Sequence, residues 1–268
     1  MATRIFNSRI LFSSALVATA TAGVYTALIY RRVSATPLST ITSANSVSES
    51  FAKSTTIRNL VNPRGYVALT DSRSVTLELP SRDAADDDEE RTGEPQNPSD
   101  QVILASFVKG FFGGRVFALE RIALGVLRLQ AGPFPGLTTP EKPIWSTEEL
   151  SNDALPPPSS TIFGAFRVAA IDIADASARD ESIAPAESST TSSVDVLYGS
   201  SEGQFAGCHR FSVCCEGSQV KLSLECVTCN PTVDKPLSPA IMFWFHRVYA
   251  MLLFRDALYN VRQVARLQ

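Results

Sequence analysis

Apolar and polar positions alternate most strictly between Gln204 and Cys229. Phe205, Phe211, Val213 and Cys215 share one parity, and Val220, Leu222, Leu224 and Cys226 share the matching parity beyond Gly217-Ser218. A two-residue turn at that pair, with glycine supplying a positive φ, sets Glu216 opposite Gln219. Counting outward then pairs Cys215 with Val220, Val213 with Leu222, Phe211 with Leu224 and His209 with Cys226. Arg210, Ser212, Lys221, Ser223 and Glu225 fall on the other face, so a one-residue slip would push charges among the apolar side chains. Val194 to Tyr198 adds a third strand, which makes an antiparallel meander.

Val75 to Leu79 alternates with period two and stops at Pro80, with a second strand signal at Tyr66 to Thr70. Ser99 can cap a helix carrying Ile103, Leu104, Phe107, Val108, Phe111 and Phe112 on one face. Gly113-Gly114 interrupts it, and Arg115 to Gln130 forms a second amphipathic segment. Ile162 to Ile173 is apolar on both parities, the pattern of a central strand covered on both sides. Ser238-Pro239 starts a long C-terminal helix, with Ile241, Phe245, Val248, Leu252 and Tyr259 along one side and Met242, Tyr249 and Leu253 beside them. This order predicts an α+β fold: a curved antiparallel sheet packed on a long C-terminal helix.

Ile10 to Tyr30 carries no charge, is long enough for a bilayer core, and has Arg4 and Arg9 before it and Arg31 and Arg32 after it. It predicts a single N-terminal transmembrane helix in the membrane of a mitochondrion or another organelle. The absence of acidic residues before Glu49 keeps a second reading open, a mitochondrial presequence whose cleavage leaves the domain in the matrix. The divisions that follow are 1–32 as anchor or targeting segment, 33–60 as a Ser/Thr-rich tether, and 61–268 as one α+β domain. Within that domain 81–99 reads as an acidic solvated loop and 174–193 as a low-complexity insertion.

Charge changes this picture little. With 24 basic and 27 acidic residues the net charge is -3 and no basic stripe stands out, so nucleic acid is not an indicated partner. Five cysteines crowd between Cys208 and Cys229, and Cys226-Val-Thr-Cys229 has the spacing of a zinc half-site. The register separates them, however, with Cys226 inward and Cys208 and Cys229 outward, so no metal set and no cofactor are assigned. An odd count also speaks against a disulfide framework. Only two histidines exist, His209 on the apolar hairpin face and His246 on the helix that must cover some apolar face. Covering that one brings both imidazoles to a common cavity near Cys226.

The meander with its closing helix resembles the START-like helix-grip fold. The segments Phe111-Phe112, Phe117 to Arg121, Phe205 to Phe211 and Phe245 to Tyr249 resemble a fungal protein family carrying a small helix-grip domain of unknown function. The resemblance implies a hydrophobic cavity between sheet and helix and carries no catalytic assignment. Three readings stay open: a membrane-tethered domain binding a small hydrophobic ligand through His209, Phe211, Cys226 and His246; a cyclase- or isomerase-like enzyme using His209 and His246; and a non-catalytic structural or assembly protein.

Overall fold

A computed structural model of the chain describes residues 19–78, 98–138, 143–174, 191–216, 218–238 and 240–265. Seven strands, β1 (Thr42–Ala44), β2 (Ala68–Glu78), β3 (Thr161–Ile162), β4 (Phe166–Asp172), β5 (Thr191–Gly199), β6 (Ala206–Glu216) and β7 (Gln219–Cys229), form one curved sheet in the order β1-β2-β7-β6-β5-β4-β3. All the strand pairings are antiparallel. The helices are α1 (19–34), α2 (Glu49–Ala52), α3 (Asp100–Gly113), α4 (Ala118–Leu127) and α5 (Ala240–Ala265). The α+β class therefore holds, as does the β6–β7 register predicted by counting, from Glu216↔Gln219 through His209↔Cys226. Gly217, at the turn itself, lies outside the described residues.

Helix α3 lies on the inward face of the sheet. The Ser99 hydroxyl accepts a hydrogen bond from Val102 N and so caps it. Phe107, Phe111 and Phe112 pack on Phe211 with ring centroids 5.2, 5.1 and 6.0 Å away, and Phe254 of α5 closes on Phe107 at 5.8 Å. The centre of the sheet–helix interface is thus filled by phenylalanine. Helices α3 and α5 approach closely at Gly110, where an added Cβ would stand 2.7 Å from the Ala257 carbonyl oxygen.

Three expectations change. In place of the expected Ser/Thr-rich tether, residues 33–60 are folded: Phe51 and Ile57, with Val61 next to them, are buried with Cys208, Val227 and Cys229 in a second cluster on the outward sheet face. The Glu225 carboxylate accepts hydrogen bonds from the backbone N–H and hydroxyl of Ser48, and the Arg210 guanidinium sits 4.5 Å over the Phe51 ring while paired with Asp195. A few apolar side chains plus these polar contacts offset the ordering entropy of an otherwise polar segment. Ile162 to Ile173 is not one central strand. It holds β3 and β4 at one edge, joined through Phe163 and Gly164 at positive φ, and an irregularity between Val168 and Ala170 shifts the facing parity. The buried face of α5 is Ala250, Leu253, Phe254, Ala257, Leu258 and Val261, whereas Phe245 and Val248 are exposed.

Most of the acidic loop 81–99 and most of the 174–193 insertion lie outside the described residues; β5 begins at Thr191. So do residues 10–18 of the Ile10 to Tyr30 run, whose remainder, 19–30, belongs to α1. Among the described residues no single helix is long and apolar enough to cross a membrane. The end of α1 is docked on the domain: Val33 is buried in the main core, the Arg32 guanidinium pairs with Asp256, and the Tyr25 hydroxyl donates to Arg115 O at 2.6 Å. Helix α4 is turned inside out. Leu119, Ile122, Val126 and Leu127 face solvent, while Glu120 accepts from the Tyr249 hydroxyl at 2.8 Å and Arg121 donates to Phe112 O at 2.9 Å.

Candidate functional site

Strand alternation places Leu69, Asp71 and Arg73 of β2 on the same inward face as Val75 and Leu77. Cross-strand pairing sets Asp71 opposite Cys226, and Cys226 opposite His209 on the next strand. Helix α5 begins beyond the end of β7 and lowers His246 onto this row from above. Its Nε2 stands 3.8 Å from Cys226 Sγ and 3.9 Å from Asp71 Oδ1, and its ring lies parallel to that of His209 with centroids 6.3 Å apart.

Tyr198 forms the opposite wall. Its cross-strand partner is Gly207, and a Cβ there would fall 2.2 Å from the Tyr198 ring, so only glycine lets the phenol lie across β6. The Tyr198 hydroxyl thereby reaches Cys226 Sγ at 3.2 Å and the Thr228 hydroxyl beyond it. His209 packs against the Tyr198 ring at a tilt, with centroids 4.7 Å apart, and is buried, its Nδ1 without a hydrogen-bond partner. Arg73, buried as well, pairs through Nη1 with Asp71 Oδ2 and donates from Nη2 to Arg247 O at 3.1 Å.

A cavity of about 290 Å³ opens over this row between the sheet end and the start of α5. Leu69, Phe205 and Leu237 give it apolar walls; Asp71, Tyr198, Thr228 and His246 give it a polar floor. Burial, reinforced by His246 and Arg73, pushes the His209 imidazole down to about 3, so it is neutral. Burial and then the Asp71 carboxylate push the Cys226 thiol up to about 12. His246 is also lowered by burial, with Asp71 acting against the shift. A buried protonated thiol is a poor nucleophile, so this arrangement favours holding and orienting over covalent chemistry at sulfur.

Of the residues singled out from sequence, His246 lines the cavity, and Cys226 lies beneath its rim with Sγ 3.8 Å from His246 Nε2. His209 lies behind Tyr198 and does not line it, and Phe211 is buried in the phenylalanine cluster, away from it. Sequence reasoning missed Asp71, Arg73, Tyr198 and Thr228. The signal for the first two was present: the alternation Val75-Thr76-Leu77, extended backward, places Arg73 and Asp71 inward, but an Asp-Ser-Arg-Ser run reads as solvated chain. Of the cysteines, Cys208 and Cys229 point outward as expected yet are buried under residues 51–61, and among the described residues no disulfide forms. Comparison with family models, curated proteins and solved structures finds no match to this chain.

Proposed function

We propose that this chain is a membrane-attached domain that holds a small, largely apolar molecule by its polar end, in the cavity between the sheet and the start of α5. The observation that carries the reading is the convergence of apolar walls on Asp71, His246, Tyr198 and Thr228, the composition of an orienting ligand site. A START-like helix-grip plan is in keeping with the sheet and its C-terminal helix. In this chain α3 fills the middle of that interface, which leaves the end as the place for a ligand. The volume sits at the small end of ligand pockets, roughly 300–1,000 Å³. It suits one ring system or the end of one chain rather than a whole two-chain lipid.

Membrane attachment is supported by Ile10 to Tyr30 and by the outward apolar face of α4, which the hydrogen bond from Tyr249 to Glu120 sets beside the exposed Phe245 of α5. The proton-transfer reading has only His246 at the cavity. Native mass spectrometry of the full chain released from membranes in detergent tests the ligand reading. A bound small molecule in the wild type, depleted about tenfold or more in Leu69→Trp, supports it. An apo mass in both proteins, with no uptake of added apolar ring compounds, overturns it.

A further inference from the structure

We infer that Asp71, Cys226 and His246 form a binding site for a divalent transition-metal ion of the zinc class. Their ligand atoms, one carboxylate oxygen, one sulfur and one imidazole nitrogen, all lie within 4.8 Å of one another. Three separate elements deliver them: β2, β7 and α5. A tetrahedral zinc centre with metal–sulfur near ~2.3 Å and metal–nitrogen or oxygen near ~2.0–2.1 Å requires a sulfur–nitrogen separation of about 3.6 Å and a nitrogen–oxygen separation of about 3.4 Å. The distances here, 3.8 Å from Cys226 Sγ to His246 Nε2 and 3.9 Å from His246 Nε2 to Asp71 Oδ1, already fall within half an ångström of that geometry.

The surroundings are built in the same sense. Arg73 takes Asp71 Oδ2 and leaves Oδ1 turned toward His246, the division of labour of a ligating carboxylate held by an outer partner. Tyr198 and Thr228 flank Cys226 Sγ at 3.2 and 3.5 Å with hydroxyls able to donate to a metal-bound thiolate. Two of the three ligands, Asp71 and His246, line the cavity, so the fourth coordination position faces it. Three protein ligands with one open position is the form of a zinc site that polarises a bound molecule, whereas a closed structural site uses four. Binding replaces the Cys226 thiol proton, which leaves to solvent, and the sulfur ligates as thiolate. Only the identity of the fourth ligand rests on the ligand-binding reading; the protein ligands do not.

The full chain, stripped with a chelator and titrated with Co²⁺ alone, tests the site. One equivalent binds and produces cobalt–thiolate charge-transfer absorption, which Zn²⁺ then displaces. Cys226→Ser abolishes the sulfur band, and His246→Gln weakens binding by about 100-fold or more, beyond the 10–100-fold that outer-sphere changes cost. Cys214→Ser, outside the site, leaves both unchanged. His246 is partly exposed, so its variant keeps the test valid should Cys226→Ser lose its fold by circular dichroism. Absence of a cobalt–thiolate band, or a band that survives both substitutions, overturns the inference. A metal-binding chain that takes up no apolar molecule would reject the ligand reading alone.

Discussion

Arg32 and Asp256, 224 residues apart in the chain, form an ion pair that ties the end of α1 to the middle of α5. Asp256 is 1% exposed and also accepts a hydrogen bond from Val116 N at 2.9 Å, so one carboxylate joins three segments. Arg32→Ala leaves that carboxylate buried with a single donor and is expected to cost about 2–4 kcal/mol. The double variant with Asp256→Asn recovers part of the loss, because the stranded charge is gone. Urea unfolding of the four proteins of that cycle checks it; additive losses would mean the pair is not coupled.

The outward face of α4 is expected to meet lipid. With Trp145 replaced by Phe, Trp244 is the sole tryptophan, and it is 65% exposed on α5 beside Phe245. Brominated acyl chains in reconstituted vesicles should quench it, and Ile122→Asp with Val126→Asp should relieve the quenching while changing stability by less than about 0.5 kcal/mol per exposed site. Unquenched Trp244 fluorescence would place this face in water.

Gly207→Ala is expected to displace the Tyr198 ring, opening one wall of the cavity and removing the hydroxyl contacts to Cys226 and Thr228. The cost in stability is about 1–3 kcal/mol, as for overpacking. Tyr198→Phe keeps the wall and loses only the hydrogen bonds, about 1 kcal/mol. A ligand assay that falls with Gly207→Ala and persists with Tyr198→Phe separates shape from polarity.

Glu120 carries a pH dependence of known sign. Burial raises its carboxyl above the ordinary value, only partly opposed by the hydrogen bond from Tyr249. The folded chain then holds a proton that the unfolded chain has released, so stability falls as pH climbs from the ordinary carboxylate value through the raised one. Glu120→Gln should flatten that part of the stability profile and leave the variant more stable than the parent at neutral pH. An unchanged slope between the two proteins would refute the assignment.

What the residues disclosed in advance depended on whether one rule decided the outcome. The β6–β7 register was readable because turn chemistry and alternation agree, and the Ser99 cap and the Gly113-Gly114 break because each is a local signal. Residues 33–60 misled because Phe51, Ile57 and Val61 are few and their partner surface, Cys208, Val227 and Cys229, lies on the face that Arg210 and Glu225 mark as polar. The α5 face was misassigned for a related reason. Gly110 and Ala257 let α3 and α5 approach, and a contact made by small residues leaves no mark in a search for large apolar ones. Gly110→Ala is therefore expected to cost more than about 2 kcal/mol despite being a favourable change in an isolated helix. At the site, the Asp71–Arg73 pair hides a buried wall behind the composition of a loop.

The docking of α1 makes residues 19–34 a post and not a leash. Its last turn shares the core through Val33 and grips α5 through Asp256, and α5 in turn carries His246 over the cavity. Whatever holds residue 19 therefore also fixes the direction in which the cavity mouth looks. A pull or tilt at residue 19 reaches α5 through the Arg32–Asp256 pair and is carried along that helix to His246, which couples the orientation of the domain to the opening of its cavity.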